Sequence, residues 1–238
     1  MGKRITSQKR GRGTRRYIAP SHRFSAEVKH RTFDKTKSYS GEVVDLVHSV
    51  SHSAPLAVVK YDDGKVGYII APEGISVGDI IISGKTNEVK VGNTLQLSDI
   101  PEGTLIYNIE EKAGDGGKYV RASGTFARLL AKTGNKVKVL MPSKKEKEFH
   151  SGCRATVGTV SGGGRLEKPF IKAGKRWHAM RARGKLYPIV SAVAMNAVEH
   201  PFGSGRGRHM GKPSVAPRDA PPGRKVGLVR PRRTGRKR

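Results

Sequence analysis

The chain holds one cysteine, Cys153, in 238 residues. An intrachain disulfide and a cysteine-rich zinc module are therefore both excluded, and the usage fits a reducing interior. Aromatic residues make up 6% and hydrophobic residues 35%, too few to place most of the length in a core, which predicts a modest body with extensions. No long apolar run spans a bilayer, and no long stretch pairs an apolar with a basic face, so a membrane is not the expected partner. The charged N-terminus lacks the apolar segment of a secretory signal. Acidic residues are scarce too: 19 stand against 47 lysines and arginines, a formal charge of +28. Self-repulsion on that scale is usually neutralised by a polyanion, and nucleic acid is the default one.

The charge is unevenly distributed. Residues 1–37 carry +10, residues 38–116 carry −7, residues 117–202 carry +14 and residues 203–238 carry +11. An acidic stretch between basic ones implies a face that points away from nucleic acid or meets a basic neighbour.

Residues 1–37 show no apolar period and mix Arg and Lys with Gly, with Tyr17, Phe24 and Phe33 interrupting the basic run. This predicts a basic arm, disordered alone, whose Arg10, Arg12, Arg15 and Arg16 neutralise phosphates as it orders on RNA. From Ser38 short β-branched runs begin: 39–47, 54–61, 65–71, 78–83, 88–91 and 104–109, with a hairpin turn at Asp62-Asp63-Gly64. Such spacing predicts a small barrel close to a five-stranded OB type over residues 38–116. The Gly-rich stretch 111–118 predicts a domain boundary. A second strand series follows at 119–122, 126–131, 136–141, 148–150, 154–160 and 188–191, with a hairpin at Thr133-Gly134-Asn135. A second small barrel over residues 117–197 is expected, with its one helical stretch between 173 and 183 and Trp177 and Met180 closing one end. Residues 198–238 are basic and rich in Gly and Pro, Pro231 among them, which predicts an extended tail.

Several motifs fall short of catalysis. Gly162-Gly163-Gly164 lacks the Gly-Lys-Ser/Thr of a nucleotide loop, and serves equally as a turn or as a backbone cradle for an RNA phosphate. The histidines and Cys153 have no compact metal spacing, and the carboxylates sit at turn positions. No enzyme, no cofactor and no protein-bound metal are expected. The density of Arg121, Arg128, Lys132, Arg154, Arg165, Lys172, Arg176, Arg181 and Arg183 points to a surface that docks folded RNA. Duplex DNA is the rival partner, although no helix-turn-helix pattern is present.

The segments GNTLQLSDIPEGTLIYNIEEKAGDGG at 92–117, RASGTFARLLAK at 121–132, CRATVGTVS at 153–161 and AMNAVEHPFGSGRGRH at 194–209 resemble the large-subunit ribosomal protein L2 family. The opening MGKRITSQKRGRGTRRYIAPSHR resembles its archaeal and eukaryotic form. The resemblance implies an all-β chain: an OB-fold barrel, then an SH3-like barrel, with long basic N- and C-terminal extensions entering large-subunit rRNA. It also implies other ribosomal proteins as neighbours, contact with the small subunit, one copy per ribosome, a cytoplasmic setting and no membrane. Any structural magnesium or potassium ion would be shared with rRNA. The resemblance further implies support of subunit association, tRNA binding and the peptidyl transferase centre. That last role falls on His200, Pro201, Phe202 and Gly203, with Arg206 and Arg208 beside them. His200 matches the first histidine of the family's His-Pro-His-Gly-Gly-Gly motif, Phe202 replaces the second histidine and Ser204 the middle glycine. A structural role for His200 is expected, in a hook whose shape glycine freedom and surrounding RNA supply together.

Overall fold

The computed structural model describes residues 2–31, 37–86 and 88–228; Phe33 and Pro231 lie outside the described residues. Among the described residues ten strands form: β1 (Ser38–Val47), β2 (Leu56–Tyr61), β3 (Val66–Ile70), β4 (Ile80–Gly84), β5 (Thr94–Gln96), β6 (Leu105–Tyr107), β7 (Ala127–Thr133), β8 (Lys136–Leu140), β9 (Glu146–His150) and β10 (Arg154–Val157). The chain is all-β, with two short helices, α1 (Thr6–Gly11) and α2 (Ala173–Ala182). The sheet order is β3-β2-β1-β4-β5-β10-β6-β7-β8-β9.

Both predicted hairpins form. Val59 pairs Gly67 across the turn at 62–64, where Gly64 takes φ 76°, and Thr133 pairs Lys136 across Gly134 at φ 55°. Left-handed backbone at each turn favours glycine, which has no Cβ to clash.

Two cores separate the strands. Val43, Ala57, Val59, Tyr61, Ile69 and Ile81 pack inside β1–β4, while Leu95, Leu97, Ile106, Leu129, Val139, Phe149 and Ala155 pack inside β5–β10. Each buried Val, Leu, Ile or Phe contributes roughly 1.5–3 kcal/mol. Leu95, Leu97, Ile100, Ile106 and Ile109, grouped by sequence with the first barrel, share the second core. Their long-range β10 partners fix that membership: Leu95 pairs Ala155 and Ile106 pairs Val157.

Three expected strands are absent among the described residues. At 88–91 the chain is exposed, and Asn93 takes over the ladder: its Oδ1 accepts from Ile82 N at 2.8 Å and its Nδ2 donates to the Glu88 carbonyl at 3.0 Å. At 119–122 only an isolated bridge to Ile109 forms, because Gly116, Gly117 and Val120 take positive φ. At 188–191 Ile189 and Val190 face solvent and have no partner strand.

The arm does not stay separate as a single extension. Val28 is buried with Leu56, Ile70, Tyr107 and Val160, and His30 is buried beside it. Arg31 pairs with Asp63 and lies 4.7 Å from the ring centres of both Tyr39 and Tyr61. Residues 21–31 therefore fold with the strands.

Candidate nucleic-acid interface

The chain forms two compact units, residues 21–169 and residues 1–20 with 170–238. Every large apolar cluster belongs to the first. The second buries only Ile5, Phe202 and Ala216 among its described hydrophobic residues. Charge divides the opposite way. Residues 1–20 and 170–238 hold 25 basic and 2 acidic side chains, against 22 and 17 in residues 21–169, so +23 of the +28 sits where the core is thinnest.

Within residues 21–169, two of the expected RNA contacts are engaged internally. Arg154 places Nη2 2.7 Å and Nε 3.1 Å from Glu110 Oε1, its backbone N–H donates to Glu110 Oε2 at 2.9 Å, and its Nη1 donates to the Arg31 carbonyl. The Glu110 side chain is fully buried and that of Arg154 is 12% exposed, so this pair is a clamp and not an RNA-facing group. Burial alone would raise the Glu110 carboxyl, but the Arg154 hydrogen bonds and charge hold it below its ordinary range. Arg121 is half-buried, with Nη1 on the Gly117 carbonyl at 3.0 Å and Nη2 on the Val28 carbonyl at 2.9 Å. Its planar fork thereby locks the arm to the Gly-rich turn.

Arg121 also lines an open groove of about 640 Å³ with Phe24, Val28, Lys29, His52 and Lys118. His52 Nδ1 contacts the Ser51 and Ser49 hydroxyls at 2.7 and 3.0 Å. Burial and then the Arg121 charge push its pKa down, so the groove holds a neutral imidazole. Lys29 and Lys118 at its rim are paired with Glu27 at 2.7 Å and Asp115 at 3.3 Å, so its aromatic, guanidinium and imidazole surfaces suit stacking of an unpaired base over phosphate binding.

Arg128 and Lys132 are exposed on β7, although Lys132 Nζ also reaches the Ser98 carbonyl at 2.5 Å. The outward face of β8 and β9 is mixed, since Lys136 lies 3.2 Å from Glu148. Arg165 is exposed and donates to Ser123 Oγ at 2.8 Å. In the triple glycine beside it Gly162 and Gly164 take φ 75° and 71°, which favours glycine, and Gly163 lies so close to Gly124 that a Cβ on Gly124 would come 2.7 Å from Gly163 Cα.

In the other unit Arg10, Arg12, Arg15, Arg16, Lys172, Arg176, Arg181, Arg183, Arg206 and Arg208 are all exposed. Helix α2 buries none of its residues, so Trp177 does not close a barrel. Trp177 is 37% exposed, with the Arg181 guanidinium 5.0 Å from its ring centre. Arg176 lies 5.5 Å from the Tyr187 ring centre. Guanidinium–aromatic pairs on an exposed helix are platforms for base or phosphate contact. A smaller cavity of about 260 Å³ between α1 and residues 190–199 gathers Arg4, Lys9, Asn196 and Glu199.

The segment 195–203 forms a hydrogen-bonded turn. His200 N and Glu199 N donate to the Asn196 carbonyl at 3.2 and 2.9 Å, Gly203 N donates to the His200 carbonyl at 2.9 Å, and Phe202 is buried. A Cβ on Gly203 would lie 2.4 Å from the Asn196 carbonyl carbon and oxygen, so close packing excludes any side chain there. His200 Nδ1 accepts the Phe202 N–H at 3.1 Å, with the rings 5.3 Å apart. An accepting Nδ1 leaves the hydrogen of a neutral imidazole on Nε2, and partial burial favours that neutral form by lowering the pKa. His200 therefore offers an N–H donor.

Sequence reasoning missed His30 and Arg31, whose only signal was a charged or polar type inside a basic run. His30 is buried, with Nε2 2.5 Å from the Asn108 carbonyl, and desolvation lowers its pKa to about 4.

Comparison with known proteins accounts for both units. Residues 3–83 match the family model described as ribosomal proteins L2, RNA binding N-terminal domain, and residues 90–219 match ribosomal proteins L2, C-terminal domain. The large ribosomal subunit protein uL2 of Methanococcoides burtonii is 52% identical over 237 residues, covering 100% of both chains. Those of Methanocaldococcus jannaschii and Archaeoglobus fulgidus are 52% and 50% identical, with 99% of each chain covered. With both family domains matched in order and half of all residues shared along the full length of these relatives, the chain belongs to the ribosomal protein L2 (uL2) family, in its archaeal form.

Proposed function

We propose that this protein is a structural, non-enzymatic rRNA-binding component of the large ribosomal subunit, present in one copy and working in the cytoplasm. One observation carries the reading: +23 of the net charge lies in residues 1–20 and 170–238, where only Ile5, Phe202 and Ala216 are buried among the described hydrophobic residues. A segment so charged and so poor in core gains its order from a polyanion, and counterion release supplies the affinity. The strands of residues 21–169 set position, and the groove at Phe24, His52 and Arg121 receives unpaired nucleotides.

The division of labour places the OB-type half over β1–β4, with the arm 21–31 docked on it, and the SH3-like half over β5–β10. The extensions thread between rRNA helices, with magnesium or potassium ions shared with the rRNA. His200, Pro201, Phe202 and Gly203 form a preformed turn that supports rRNA near the peptidyl transferase centre, and through it tRNA binding and association with the small subunit. His200 does so as a donor: its Nδ1 is taken by the Phe202 N–H, so the remaining Nε2–H contacts an RNA acceptor and is not a base.

Gradient sedimentation with RNA crosslinking tests this. The protein is expected to migrate with the large subunit, with crosslinks at Arg176, Arg206 and Phe24. Migration with small subunits or with free protein would contradict it.

A further inference from the structure

The sheet β3-β2-β1-β4 has an inner face filled by its own core and an outer face that is covered over only part of its length. On the outer face Leu56 and Ile70 are buried under Val28, Tyr107 and Val160. Two registers further along, the cover stops. The paired residues Val66, Lys60, Glu42 and Ile80 form a cross-strand row. Val66 is 57% and Ile80 68% exposed. Val58 and Tyr68, paired with each other and in line with Asp45, continue the same face half-buried. Val44, at the bulge between Val43 and Asp45, and Val77 in the turn before β4 add two more exposed valines. Val66 and Ile80 thus flank the charged Lys60 and Glu42, and exposed apolar side chains gathered on one sheet face among charges mark an interaction site.

Charge selects the occupant. Residues 38–84 contain six carboxylates, two lysines and no arginine, in a protein of net charge +28. Glu42, Asp45 and Asp62 are exposed around the patch, with Lys60 the cation of the row. An OB-type barrel ordinarily presents a basic, aromatic sheet face to nucleic acid. Here RNA phosphates would meet carboxylates. A second copy docked symmetrically would set Glu42 and Asp45 against themselves. A basic polypeptide satisfies both features, its apolar side chains covering Val66 and Ile80 and its cations facing Glu42, Asp45 and Asp62.

We infer that this face docks a basic, extended segment of a neighbouring protein in the same particle. The inference rests on the ribosomal reading above and adds a partner of stated chemistry and a site for it.

The test uses the full chain in native large subunits, with p-benzoylphenylalanine in place of the exposed Ile80. After irradiation and nuclease digestion, the adduct is expected to be a Lys- and Arg-rich peptide of another ribosomal protein. Its yield should fall at least about tenfold when Glu42→Lys and Asp45→Lys are combined. Lys60→Glu, which deepens the negative charge at the same exposed row, should at least preserve the yield and controls for folding. An adduct with rRNA, with this chain or with an acidic peptide would overturn the inference. So would no adduct in subunits that contain the protein, a yield indifferent to the double charge reversal, or a tenfold loss with Lys60→Glu. Absence of the protein from large subunits would overturn the ribosomal reading and this inference with it.

Discussion

Arg154 holds Glu110 through Nη2 and Nε, at 2.7 and 3.1 Å from the same carboxylate oxygen, and the two residues lie 44 positions apart in the chain. The pair joins β10 to the segment between β6 and the Gly-rich turn, and through the Arg31 carbonyl it also holds the arm.

Arg154→Ala leaves Glu110 buried without its partner, so the full chain should lose roughly 3–5 kcal/mol in urea unfolding. The salt dependence of RNA binding should stay as it was, because the side chain does not face RNA. A double-mutant cycle with Glu110→Gln measures the coupling. Near-additive losses, or a smaller salt slope in Arg154→Ala, would show that Arg154 works at the surface.

Acid should loosen the same region. His30, lowered to about 4, binds its proton less readily folded than unfolded, and Glu110 is likewise held below its ordinary range. Both shifts put more protons on the unfolded chain, so stability is intact above the unfolded imidazole range near 6.5 and is lost as pH falls toward 4. For His30 the loss is about 3 kcal/mol. Urea midpoints at pH 7 and pH 4.5 check this, and in His30→Gln the pH-dependent loss should shrink.

Sequence is informative where the signal is local and silent where it is not. Asp62-Asp63-Gly64 and Thr133-Gly134-Asn135 announce their hairpins because the turn residues themselves impose the geometry. Val89 and Val91 alternate as a strand would, yet are exposed, because Asn93 closes the ladder with its side chain, a choice that tertiary context makes. Arg154 looks like its exposed neighbours Arg128 and Arg165, since residue type says nothing of a carboxylate 44 positions away. Val28 and His30 carry no period within a basic arm, and only the strands they cover reveal their role. Trp177 misleads for the opposite reason: its size suggests a core, but α2 has no apolar face to bury with it.

Gly203→Ala should disrupt the turn at 195–203, because its Cβ would lie 2.4 Å from the Asn196 carbonyl, whereas Gly205→Ala has nothing within 4 Å to meet. Incorporation into large subunits should fall several-fold for the first and hold for the second. Equal incorporation of both would remove the packing argument.

His200→Ala removes the acceptor of the Phe202 N–H, and hydrogen exchange at that amide should quicken about tenfold, the equivalent of one hydrogen bond. His200→Asn supplies an oxygen in a similar place and should restore part of the protection. Because burial lowers the His200 pKa, protection should persist through neutral pH and decline only in acid, once Nδ1 is protonated and can no longer accept. Unchanged exchange in His200→Ala would show that the hydrogen bond does not hold the turn.

The central claim is that residues 1–20 and 170–238 supply the RNA affinity while residues 21–169 supply position. The slope of log affinity against log salt for large-subunit rRNA tests it most directly. Arg176, Arg181, Arg206 and Arg208 changed together to Gln should reduce the slope by roughly 3, about 0.7–0.9 for each phosphate that is no longer neutralised. Changing Lys60, Lys65, Lys85 and Lys90 to Gln should leave it unchanged; an equal reduction in the two variants would contradict the account.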